Sequence, residues 1–172
     1  QTQGNSNLAQ TVSYDLLMMA RSGIFDQVGG GFHRYSVDEF WTVPHFEKMA
    51  YDQASLLRVY AETFQLTGLD VYRDICQEIV TYLSRDLCFD DGRFFAAEDA
   101  DSEGKEGTFY VWRREELEKG LSQEEFECLE RQYFLGAEGN FEDDQIILEH
   151  IADADRQKTP EVRKILEKLR IL

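Results

Sequence analysis

The chain has 172 residues and sets 34 acidic against 18 basic side chains, a formal net charge of −16. That length suits one hydrophobic core and is short for two ordinary domains. A surface this negative repels phosphate backbones and anionic headgroups, which argues against nucleic-acid and membrane partners.

No apolar run approaches the roughly 20 residues of a bilayer span, and the opening QTQGNSNLAQ lacks the charged and apolar regions of a secretory signal. A soluble, cytoplasmic protein is therefore expected. Cys76, Cys88 and Cys128 are odd in number and form no C-x-x-C pair, so neither a disulfide framework nor a zinc site is indicated. The same absence argues against thiol redox chemistry, and no metal or cofactor is expected.

Leu8, Val12, Leu16 and Met19 share a stripe that predicts a first helix over 8–20, with Asn5 or Ser6 as its cap and Ser22-Gly23 as its end. Residues 23–43 show no helical or strand period and are punctuated by glycine. A loop of that length inside a compact chain points to function. His33, Arg34, Asp38 and Glu39 are its polar members. Phe25, Phe32, Tyr35, Phe40 and Trp41 either anchor it or form a sugar-stacking wall.

Pro44 suits a first helical position, because its missing N–H would have no intrahelical partner there. From His45 the pattern runs without a breaker to Thr67, with Phe46, Met49, Leu57, Tyr60 and Phe64 on one buried face. On such a helix His45, Lys48 and Asp52 would line one stripe, and Glu47 and Tyr51 a neighbouring row. Loop and helix start would together form a small-molecule site at a helix N-terminus. The structural alternative is a solvated helix face, on which such spacings arise often.

Gly68 is expected to close this helix, and Val71, Ile75, Ile79, Leu83 and Leu87 predict an antiparallel partner. Asp90-Asp91-Gly92 marks a turn. After it, Arg93 to Ala97 and Thr108 to Trp112 read as a β-hairpin with a long loop between them. That loop carries Glu98, Asp99, Asp101, Glu103 and Glu106, but its glycines and last glutamate do not fit a twelve-residue calcium loop. A solvated acidic loop is the plain reading. A short helix over 114–119, a capping box of Ser122 and Glu125 opening a helix over 123–134, and a final helix over 160–172 complete the chain. The final helix carries Val162, Ile165, Leu166 and Leu169 on one face, and its still-apolar end suggests a chain cut from a longer one.

Three blocks carry a resemblance: HRYSVDEFWTVPHFEKMAYDQ (33–53), EDADSEGKEGTFYVW (98–112) and EGNFE (138–142). In that order, within residues 20–145, they closely resemble the thioredoxin-fused family that includes spermatogenesis-associated protein 20. The resemblance implies an α/α toroid like those of six-hairpin glycosidases and sugar epimerases, following a thioredoxin-like domain that is absent here. The expected architecture is all-α with a small β-hairpin insertion. Residues 1–172 would form a single domain, the opening arc of that toroid, with Glu98, Asp99 and Asp101 over its central cleft.

Two functions follow as expectations. In one, the cleft acts on or binds a carbohydrate-like small molecule. Asp52 with Glu98 or Asp99 would be the carboxylate pair for hydrolysis, or His33 and His45 the acid and base for epimerisation; Arg34, Trp41, Glu47, Lys48 and Asp101 would bind the substrate. In the other, the chain is a non-catalytic structural or binding module whose polar cluster fixes the loop on the helix. Expected partners are a sugar-like ligand, the remainder of the full-length chain and, through free apolar helix faces, a second copy.

Overall fold

The computed structural model describes residues 2–102, 104–151 and 158–172, with side chains from residue 7 onward. In chain order the elements are α1 (Thr2–Arg21), β1 (Tyr35–Ser36), β2 (Pro44–His45), β3 (Lys48–Met49), α2 (Ala50–Thr67) and α3 (Asp70–Asp86). There follow β4 (Ala97–Glu98), β5 (Asp101–Ser102), β6 (Lys105–Glu106), α4 (Arg114–Gly120), α5 (Gln123–Glu130), a 3-10 turn (Glu142–Asp144) and α6 (Pro160–Leu169). The chain is mostly helical with small β-hairpins, as the periodicity implied. α1 begins at Thr2, so Asn5 and Ser6, expected to cap it, lie inside the helix; Glu103 of the acidic loop lies outside the described residues.

α2 and α3 form the helical hairpin, joined where Gly68 takes a left-handed φ of 70° and its N–H closes on Phe64 O. α1 lies against them. The Tyr60 hydroxyl donates to Leu16 O at 2.6 Å, and the Tyr72 hydroxyl to Ser13 O at 2.7 Å. Leu16, Ala20, Tyr60, Ile75 and Ile79 fill the core between these helices, and Phe25 and Phe32 plug the loop into it.

A second core joins α4, α5 and α6. Ser122 and Glu125 make the expected capping box, Thr159 accepts from Val162 N, and Val162, Ile165, Leu166 and Leu169 are buried against Leu117, Phe126 and Leu129. α6 therefore does not fold back over the α2–α3 pair with its apolar face. Arg163 on α6 pairs with Asp74 of α3 at 3.2 Å, and Lys158, just before α6, pairs with Glu78 of α3 at 2.9 Å. Between the two cores, Phe46, Ala100, Val111 and Ile147 form a third cluster.

Three expectations change. α2 begins at Ala50, and residues 44–49 are extended: Pro44, Phe46 and Lys48 point inward while His45, Glu47 and Met49 are less buried, the period of a strand. Tyr35 pairs with His45 and Ser36 with Pro44, so the stretch gains strand partners that a helix start would forgo. His45 and Lys48 consequently share no helical stripe with Asp52. The hairpin also differs from the expected pairing of 93–97 with 108–112. β4 pairs with β3, β5 pairs with β6 in a tight turn inside the supposed loop, and Trp112 bridges Ile146. The helix expected over 123–134 stops at Glu130, because Tyr133 bridges His150.

Candidate functional site

The loop is tied to the segment before α2 by backbone and side chain together. Arg34 N donates to Glu47 O at 2.9 Å, and Gln53, fully buried on α2, clamps Phe32 by accepting from its N–H at 2.9 Å and donating to its carbonyl at 2.6 Å. The Asp38 carboxylate accepts from the N–H groups of Phe40, Thr42 and Val43. That turn holds Trp41 at a left-handed φ of 63°, a conformation costly for a bulky residue unless its surroundings enforce it. Trp41 packs on the helical core, so it anchors the loop.

The strand alternation of 44–49 sorts the polar residues into two groups. On the inner side, Lys48 is 1% exposed and its ammonium donates to Asp26 Oδ2 at 2.7 Å and to Gly30 O at 3.0 Å. The same ammonium lies 4.4 Å from the centre of the Tyr82 ring and 4.7 Å from that of Tyr110. Tyr82 donates to Glu98 at 2.7 Å. Asp26 Oδ1 accepts from the N–H groups of Val28 and Gly29. His33, buried, donates from Nδ1 to Phe46 O at 3.0 Å.

Burial sets the electrostatics of this inner group. Desolvation alone would raise Asp26, but Lys48, then His33, and the hydrogen bonds hold its carboxyl below the usual range. Desolvation, reinforced by the nearby Lys48, pushes His33 down to about 3, so its imidazole is neutral. Burial and then Glu98 raise both Tyr82 and Tyr110, which keep their protons.

On the outer side, Arg34 pairs with Glu47 at 2.8 Å, and His45 lies 3.6 Å from Glu47 and 2.7 Å from Glu106. The Tyr35 ring stacks on His45 at 4.9 Å. Asp52, in the first turn of α2, borders this row. Its Oδ2 is buried and has no hydrogen-bond partner among the described residues, and desolvation with repulsion from Glu47 raises its pKa against the pull of Arg34. The turn bearing β4 to β6 folds over the same segment, with Glu98 opposite Lys48 in the β3–β4 register and Glu106 on His45. Within that turn Asp99 and Asp101 are exposed, and Asp99 accepts from Asp101 N at 3.2 Å.

Of the residues singled out from sequence, His45, Arg34, Glu47 and Asp52 thus meet in the outer row, and His33, Lys48 and Glu98 in the inner network. Asp26, Tyr82, Tyr110 and Glu106 were missed as members. An aspartate three residues before Gly29 is a turn signature, and it was the one available signal for Asp26. Nothing local marks the two tyrosines. In the EGNFE block, Asn140 accepts from Ile147 N and donates to Glu149, which in turn accepts from Thr42. Burial raises Glu149 despite these donors. Among the described residues no group of three metal-ligating side chains converges, and no helix is long and apolar enough to cross a membrane.

A mostly helical domain with a strand-tethered polar loop at its centre is the class these features define. No family model matches the chain. It is 48% identical over 126 residues, 70% of its length, to spermatogenesis-associated protein 20 of Homo sapiens, and 46% identical over the same extent to the protein of that name in Mus musculus. To uncharacterized protein B0495.5 of Caenorhabditis elegans it is 43% identical over 112 residues, 60% of the chain. This homology supports placing the chain in the spermatogenesis-associated protein 20 family. The chain spans 16% of the length of the human and mouse relatives and 15% of that of the worm protein.

Proposed function

We propose that this chain is the opening arc of a six-hairpin glycosidase-like α/α toroid in a thioredoxin-fused protein, and that it binds a carbohydrate-like molecule beside Asp52. The observation that carries the reading is the unpartnered Oδ2 of Asp52, next to a row in which Glu47, Arg34, His45 and Glu106 already satisfy one another. A buried carboxylate oxygen without a donor loses its hydration and gains nothing in exchange, so a ligand hydroxyl supplies the missing hydrogen bond. The half-exposed rings of Tyr35 and Tyr51 add apolar faces nearby.

Binding, rather than hydrolysis by this chain alone, is the reading proposed. Hydrolysis needs a second carboxylate facing the first. Glu98 is held by Tyr82, and Asp99 is turned to its own loop. A second carboxylate would then come from the remainder of the full-length protein. The competing reading, a module whose polar cluster only fixes the loop, is favoured by the Asp26–Lys48 pair and the Gln53 clamp, which contribute rigidity without exposing a reactive group.

Calorimetric titration with glucose, N-acetylglucosamine and maltotriose decides between the two. Heat of binding that Asp52→Asn removes while the thermal midpoint holds supports the carbohydrate reading. Absence of heat with every sugar leaves the structural module.

A further inference from the structure

A cavity of about 770 Å³ opens between Ser102, residues 108–112, α4, the loop at 26–29 and the end of α6. It shares no lining residue with the row at Asp52. Its size falls within the ~300–1,000 Å³ typical of small-molecule sites. One wall is aromatic. Phe109 is 70% exposed, Trp112 is half-buried, and the Tyr110 ring meets Phe109 edge-on at 5.2 Å.

These rings are held in place before any ligand arrives. Trp112 exchanges both backbone hydrogen bonds with Ile146, at 2.9 and 2.7 Å, and Tyr110 is pinned under the Lys48 ammonium at 4.7 Å. Asp26 also lines the cavity. Its side chain is 11% exposed, and Lys48 with two backbone N–H groups fixes the orientation of the carboxylate. The other charged lining residues, Glu116 against Lys119 and Arg170, are of mixed sign, so the cavity as a whole selects neither an anion nor a cation.

We infer that this cavity is a second saccharide-binding site, in which a neutral sugar ring lays its C–H face on Phe109 and Trp112 and turns a hydroxyl toward Asp26. A flat molecule with one apolar face and polar edges satisfies both the exposed rings and the fixed carboxylate. The inference rests on the carbohydrate reading above and extends it to a separate place on the molecule.

The test uses tryptophan emission. The chain has two tryptophans, so Trp41→Phe leaves Trp112 as sole reporter. Glucose, N-acetylglucosamine and maltotriose are titrated into that variant, into the same variant carrying Phe109→Ala, and into the same variant carrying Asp52→Asn. Phe109 is solvent-exposed, so its truncation spares the fold. The expected result is a saturable change at Trp112 whose affinity falls about tenfold with Phe109→Ala and is unchanged by Asp52→Asn. Calorimetric heat without any change at Trp112, or binding lost only in Asp52→Asn, overturns the cavity while leaving the Asp52 reading intact. No heat with any of the three sugars overturns both.

Discussion

Lys48 illustrates how a single side chain decides the local fold. A buried ammonium is tolerated because Asp26 and Gly30 O take two of its protons and two tyrosine rings face it. Removing one partner of such a pair leaves the other charge buried and uncompensated, at a cost of about 3–5 kcal/mol. Lys48→Met should therefore lower stability by about that amount in urea denaturation. Asp26→Asn in the same chain removes the stranded charge and keeps a carbonyl acceptor for Val28 and Gly29, so the double variant should recover much of the loss. His33 adds a pH dependence. Between pH 6.5 and about 3 the unfolded chain takes up a proton at this position that the folded chain refuses. Stability should accordingly fall as pH drops through that window, with a slope approaching about 1.4 kcal/mol per pH unit from this group. His33→Gln should flatten the profile; an unchanged slope would show that other groups carry it.

Two glycines show how differently positive φ is used by the elements. Gly68 ends α2 at φ 70° with nothing within 4 Å of a would-be Cβ, so Gly68→Ala meets only the left-handed backbone cost, about 1 kcal/mol. Gly107 sits at φ 79°, and a Cβ there would lie 2.5 Å from the buried Phe46 ring. Gly107→Ala should cost about 2–4 kcal/mol, because backbone strain and overpacking add. Thermal denaturation of the two variants side by side checks the order. Gly68 and the capping box at Ser122 were legible in the sequence because both signals are local. The 3.6-residue period likewise placed α2, α3 and α6. Residues 44–49 were not legible, since Pro44 fits a helix start and a strand edge equally well, and the choice is made by Tyr35 and Ser36 from across the loop. The inward positions of Lys48 and Glu98 were hidden for the same reason. A polar side chain reads as exposed until its distant partners, Asp26 and Tyr82, are known.

Association of the whole molecule is governed by which apolar faces remain open. The apolar face of α6 is buried within the chain against α4 and α5. The exposed apolar side chains are instead spread over several elements, among them Leu8 and Val12 on α1, Val59 and Leu66 on α2, and Val80 on α3. Single exposed residues of this kind are normal on monomers, whereas contiguous patches of several hundred Å² drive association. The net charge of −16 adds repulsion between copies. At about 0.15 M salt the Debye length is near 8 Å, so that repulsion is damped but still opposes close approach. Light scattering over a dilution series should therefore report a monomer at low and physiological salt. Near 1 M salt the Debye length shrinks to about 3 Å and the repulsion is lost, so any association should appear there first. Self-association that strengthens as salt is removed would contradict this account and place complementary charges, rather than apolar faces, at the contact. If association does appear at high salt, Leu66→Glu and Val59→Glu test whether α2 carries it. Should neither substitution reverse it, the contact lies on another surface, such as the aromatic wall at Phe109.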